Sequence, residues 1–244
     1  MRRQLVIAAV VVGSVLIAGA GAAYAYYFSG LRSTPKPLTA STPGSATTAS
    51  SMAAAATGDL TGNWTVTSNS LAGFRAKENF VGQSSEHEAV VRTSTVSGGF
   101  TIGSDSGGSY LVRSVAIKVG LAGLRSVDQV LGHDVTQRDG IIQRQLTVQR
   151  YPEATFTADA ASVPSTVTTQ GQSLSLPGTL TIHGVSRAVT AAISQAQVIG
   201  DKIEVKGSIP IDMTDYGVQP PQAPFVTSVD SALTIEFDIF LARA

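Results

Sequence analysis

The groups best suited to proton transfer or metal binding are three histidines, at positions 87, 133 and 183, each beside an acid or a turn glycine. Glu86-His87-Glu88 places two carboxylates around an imidazole. On a strand, however, neighbours point to opposite faces, so His87 turns away from both acids and a shared metal site fails. The expected reading is a surface charge cluster. His133-Asp134 could form an acid–base dyad, but its surroundings read as a loop. His183 precedes Gly184 at an expected hairpin, where the ring bonds turn backbone. Asp212 and Asp215 flank Met213-Thr214 ahead of Tyr216-Gly217, a spacing that suits turn formation better than acid–base work. The run Gly103-Ser104-Asp105-Ser106-Gly107 has aspartate where a nucleophile elbow needs serine. There is no cysteine, so thiol catalysis, disulfides and cysteine acylation are all excluded. Arg138-Asp139 is the most distinctive charged pair. Adjacent helical residues do not face one another, so each is expected to anchor the local segment through bonds elsewhere, to its backbone groups for instance.

The elements that must position these groups are strands. Leu233, Ile235, Phe237, Ile239 and Leu241 alternate with Thr234, Glu236, Asp238 and Phe240, which sets five apolar side chains on one face. The same period of two recurs in Leu111-Arg113-Val115-Ile117-Val119, in Val185 to Ile193, in Ile203 to Ile211 and in Leu174 to Ile182. Pro177-Gly178 marks an edge, bulge or bend in the last of these. Ser126-Val127-Asp128-Gln129 fits a capping box for a short helix ended by Gly132, and a second helical turn is expected within residues 136–149. Eight or nine strands with one helical excursion indicate an antiparallel barrel or sandwich.

Three segments follow from composition. Residues 5–28 carry no charge and are long enough to cross a bilayer core of ~30 Å. Arg2 and Arg3 precede them and Tyr24, Tyr26, Tyr27 and Phe28 close them, which suits an N-terminal membrane anchor with its N-terminus in the cytoplasm. Ala23-Tyr24-Ala25 also satisfies a signal-cleavage pattern, giving a secreted domain instead. Residues 29–58, rich in Ser, Thr, Ala and Pro, are expected to form a flexible linker. Residues 1–58 hold four bases and no acid, so residues 59–244 keep 13 of the 17 bases against 17 acids, about −4. A mildly acidic domain without a basic cluster is poorly suited to nucleic acid.

Several runs are shared with a known family. Trp64-Thr65-Val66 with Ser70-Leu71-Ala72-Gly73-Phe74, then Arg138-Asp139, then Tyr151-Pro152-Glu153-Ala154-Thr155-Phe156 resemble the YceI-like, or polyisoprenoid-binding, family in that family's order. Gly178-Thr179-Leu180-Thr181-Ile182-His183-Gly184-Val185-Ser186-Arg187-Ala188-Val189 is the most specific stretch, and Asp215-Tyr216-Gly217 resembles the family's turn before the final strand. The resemblance spans roughly residues 62 to 242. It implies a lipocalin-like antiparallel β-barrel whose interior binds a polyisoprenoid, a polyprenyl quinone or a fatty acid derivative, without catalysis or any cofactor beyond the lipid. The family usually follows Arg-Asp-x with His-Leu. Here Ile141-Ile142 stand instead, so a histidine near the barrel mouth is missing.

Inward-facing apolar positions then name the candidate ligand contacts: Phe74, Phe80, Leu111, Val115, Ile117, Ile141, Ile142, Phe156, Leu180, Ile182, Ile235 and Phe237. Eight strands enclose either a core filled by side chains or space for one slender ligand. The alternative to a lipid carrier at the outer face of the membrane is an exported interaction domain with a sealed core. Oligomeric state is open.

Overall fold

Alternation sets the strands. The computed structural model describes residues 34–39, 59–81, 86–105, 107–130, 133–222 and 226–244. In chain order the elements are β1 (Gly62–Val66), β2 (Leu71–Phe80), β3 (His87–Thr93), β4 (Val96–Ser104), β5 (Tyr110–Gly120), β6 (Arg125–Ser126), helix α1 (Gln137–Gln145), β7 (Glu153–Val163), β8 (Gln172–Ile182), β9 (Val185–Ile199), β10 (Lys202–Asp212) and β11 (Val226–Arg243). Eight strands close into a ring in the order β1-β4-β5-β7-β8-β9-β10-β11, with β11 returning to β1. Every pairing in the ring is antiparallel. Closure leaves the ring no exposed edge. This is a lipocalin-like β-barrel with one short helix.

β11 is long enough to serve two partners. Its end pairs with β1 and its earlier part with β2, which carries β3 and β6 beside it. The corner between β1 and β2 is pinned by Ser70, whose fully buried hydroxyl donates to the Phe240 carbonyl at 3.2 Å and accepts from the Phe240 amide at 3.0 Å. β8 and β9 are joined by His183 and Gly184, both at positive φ, 52° and 76°. That is the two-residue turn whose twist matches a hairpin, and Ile182 pairs with Val185 across it. Pro177 lies within β8, paired with Thr190 of β9, whereas β7 meets β8 only at residues 179–181. The proline is tolerated where its missing amide has no strand to serve.

The helix lies at 137–145, within the second helical region expected. The capping box at Ser126 opens no helix: Ser126 belongs to β6, paired with Val91. Its amide instead receives Asp139, whose Oδ1 accepts from it at 2.8 Å.

Residues 34–39 depart from the flexible spacer expected of residues 29–58. They cross the outer wall. Arg75 donates to the Pro35 carbonyl, Arg92 to the Lys36 carbonyl at 2.5 Å, the Leu38 amide to Glu236 at 2.9 Å, and Ser194 to the Thr39 carbonyl at 3.4 Å. Pro35 and Pro37 fix φ in advance, so this strap has less backbone freedom to lose on docking. Beneath it Glu236, 1 % exposed, sits between Arg75 and Arg92 at 2.8 Å from each. Among the described residues no helix is long and apolar enough to cross a membrane. The apolar run 5–28 lies outside the described residues.

Candidate functional site

The inner faces of the strands enclose a cavity of about 310 Å³ lined almost wholly by apolar side chains. Its two ends differ. At one end Leu60, Trp64, Ile102, Val163, Val167 and Leu241 pack into a buried floor, and the Trp64 indole donates to the Leu60 carbonyl at 2.8 Å. At the other end lie α1 and a 3-10 turn, Met213–Tyr216, capped by Asp212, which accepts from the Thr214 amide at 2.9 Å. Asp212 is thus a turn residue, as its spacing indicated.

Nine of the twelve candidate contacts border this cavity: Phe74, Val115, Ile117, Ile142, Phe156, Leu180, Ile182, Ile235 and Phe237. Three do not. Leu111 is out of phase because β5 carries an extra residue: Ser114 stands at φ 55° and the β4–β5 register shifts between Gly99 and Thr101. Such a bulge reverses the faces, so Tyr110 and Val112 turn inward in place of Leu111. Phe80 lies beyond Glu78 at the end of β2, stacked on His133 with ring centroids 4.6 Å apart. Ile141 is one helical position, about 100°, from Ile142. Phe80 and Ile141 border only a small second pocket of about 30 Å³ outside the polar cluster described next.

That cluster was not foreseen. Glu78 of β2, His87 of β3, Asp128 of the loop after β6 and Arg138 of α1 come together at the helix end of the barrel. Arg138 donates to Glu78, to Asp128 at 2.8 Å and to Ser126 at 3.3 Å. The His87 Nε2 donates to Asp128 at 2.7 Å, and the Val90 amide to the same carboxylate at 3.0 Å. His87 is therefore 5 % exposed and inward-facing, a correction to the surface cluster expected. It does turn away from Glu86 and Glu88, which reach outward to Lys77 and Arg75. Arg138 bonds side chains rather than the helical backbone. The partners Glu78 and Asp128 are 60 and 10 residues distant, with no local spacing to reveal them.

Burial alone would raise the pKa of Asp128. The His87 and Arg138 hydrogen bonds outweigh it and hold the carboxyl at about 2. For Glu78 burial prevails, and its pKa is raised against the pull of Arg138 and His87. Glu78, His87 and Asp128 offer ligand atoms within 4.8 Å of one another, but the Arg138 guanidinium already binds both carboxylates where a cation would sit. The cluster locks α1 over the barrel end. His133 and Asp134 do not assemble a dyad: His133 stacks on Phe80, and Asp134 accepts from the Thr136 amide at 3.0 Å.

The runs that carried the family resemblance meet here. The His183 Nδ1 donates to the Tyr216 carbonyl at 3.3 Å, its Nε2 meets the Thr147 hydroxyl at 3.2 Å, and the Tyr151 ring stands edge-on at 4.9 Å. A Cβ on Gly184 would come within 2.6 Å of that ring. Tyr216 is buried, and its hydroxyl has no hydrogen-bond partner among the described residues.

The YceI-like domain family model matches residues 64–241. This chain belongs to the YceI-like family. The fold is shared with a polyisoprenoid binding domain from Saccharophagus degradans implicated in plant cell wall breakdown, at 16% identity and a TM-score of 0.51, over 74% of this chain and 98% of that one. BcnA of Burkholderia cenocepacia aligns at 18% identity and a TM-score of 0.45, over 69% and 95%. No curated protein matches the chain.

Proposed function

We propose that the barrel binds one long-chain apolar or amphiphilic lipid, a polyisoprenoid, polyprenyl quinone or fatty acid derivative, and stores or carries it without chemical change. The observation that carries this reading is the apolar cavity. At about 310 Å³ it lies at the lower bound of small-molecule sites, ~300–1,000 Å³, which suits a slender chain. A core sealed by side chains would have left no such space. Each buried methylene contributes ~0.8 kcal/mol, hence roughly 3–4 kcal/mol per isoprene unit, so a few units offset an association cost of ~4–15 kcal/mol. Membership of the YceI-like family, and the polyisoprenoid binding reported for the Saccharophagus degradans domain, support the ligand class.

The proposal extends to location. The uncharged residues 5–28 behind Arg2 and Arg3 would hold the barrel at the outer face of the cytoplasmic membrane, or export it if cleaved. The test is to purify the barrel gently without detergent and analyse an organic extract by mass spectrometry. Stoichiometric long-chain lipid is expected. A clean extract together with no uptake of added polyprenol contradicts the reading.

A further inference from the structure

Apart from Tyr110, which packs against the floor, the polar groups bordering the cavity gather at one end. Glu78, Arg138, Gln145 and Gln219 all lie there, around α1 and the turn after β10, while the floor is otherwise hydrocarbon. An amphiphile must therefore place its head at the helix end and its tail toward Trp64, since a buried polar head needs hydrogen-bonding partners. Glu78 and Arg138 are the two charged residues among those lining the cavity. Arg138 is already committed to Glu78, Asp128 and Ser126. Two carboxylates stand against one guanidinium, and even a protonated His87 brings the cluster only to neutrality. Arg144 and Arg187 are exposed and do not border the cavity. What remains for a ligand head are the amides of Gln145 and Gln219 and the hydroxyls of Thr155 and Tyr216, the last without a hydrogen-bond partner among the described residues, and all are neutral.

From this balance we infer that the lipid carries an uncharged hydrogen-bonding head, such as an alcohol, amide or quinone carbonyl, seated beside Glu78 and Arg138, and that phosphate or free carboxylate heads are disfavoured. An anionic head would meet the Glu78 carboxylate and no unspent cation, and burying an unpaired charge is far costlier than burying a paired dipole.

This inference rests on the lipid-binding reading, and the test separates the two. The intact chain, kept in amphipol, is titrated with pairs sharing one tail: geranylgeraniol against geranylgeranyl phosphate, and oleamide against oleate, at pH 8. Neutral members are expected to bind at least about ten-fold tighter. Glu78→Gln should narrow the gap by improving the anionic members at least about three-fold. If anionic members bind as well as or better than their neutral partners, the inference fails while lipid binding stands. If none of the four binds, both fail. The wild-type comparison decides the matter even if the Glu78 variant does not fold.

Discussion

The floor and the mouth of the barrel are built from opposite materials and do different work. At the floor, Trp64, Ile102, Val163, Val167 and Leu241 fill space with hydrocarbon. At the mouth, Glu78, His87, Asp128 and Arg138 form a buried ionic cluster. Close packing gives an end that need not discriminate, since dispersion and apolar burial are non-directional. A buried ion cluster costs desolvation and contributes little net stability. What it supplies is position: it fixes α1 over the opening and, on the proposed reading, sets the charge a ligand head would encounter.

The largest expected effects come from breaking either end. Trp64→Ala should remove about 3–5 kcal/mol of stability through cavity formation and the lost bond to Leu60, measured by urea denaturation. Arg138→Met should cost a similar amount, about 3–5 kcal/mol, because two buried carboxylates lose their cation. The ends then part company: adding Glu78→Gln to Arg138→Met should recover part of the loss, whereas no second polar change rescues the floor. A full additive loss in the double variant would mean the cluster is not a coupled unit.

A smaller effect sharpens the comparison through pH. On the outer wall, burial and the nearby Glu204 push Asp238 up to about 6 against the pull of Lys206, and Glu78 at the mouth is raised in the same sense. A raised carboxyl binds its proton more tightly when folded, so the Asp238 contribution is fully present below about pH 4 and lost as pH climbs through about 6, and the Glu78 contribution has the same sign. Asp128, held at about 2, has the reverse sign and loses stability only as pH falls from about 4 toward 2. Thermal stability should therefore peak near pH 4–5. Asp238→Asn should flatten the slope between pH 4 and 6 by of the order of 1–2 kcal/mol, allowing for partial solvent screening. The smallest effect belongs to the strap, which touches neither end. Replacing Pro35 and Pro37 by Gly should cost at most about 1 kcal/mol and speed hydrogen exchange at the Leu38 amide.

Strand positions were legible because an alternation such as Leu233 to Leu241 specifies one buried face; the choice of a closed barrel over a sandwich came from the family resemblance. The hairpin at His183-Gly184 was legible from its turn residues. Leu111 was misread because a one-residue bulge at Ser114 leaves no mark in an apolar count. The capping box at Ser126 shows the same limit: a local pattern yielded to pairing with β3 and to the bond its amide donates to Asp139. The mouth cluster was invisible because Glu78, His87, Asp128 and Arg138 meet only when β2, β3 and α1 converge. The strap, too, needed the arginines of β2 and β3 to reveal why a Pro-containing stretch should settle.

The claim on which these differences depend is that hydrocarbon side chains surround a space open to one alkyl tail. Native mass spectrometry of the barrel after exposure to geranylgeraniol tests it directly, with Ala76→Phe, a residue lining the cavity beside Glu78, as the comparison. The expected result is a single lipid per barrel in the unmodified protein and its loss in the filled variant. Equal occupancy in both, or none in either, would contradict an interior binding site.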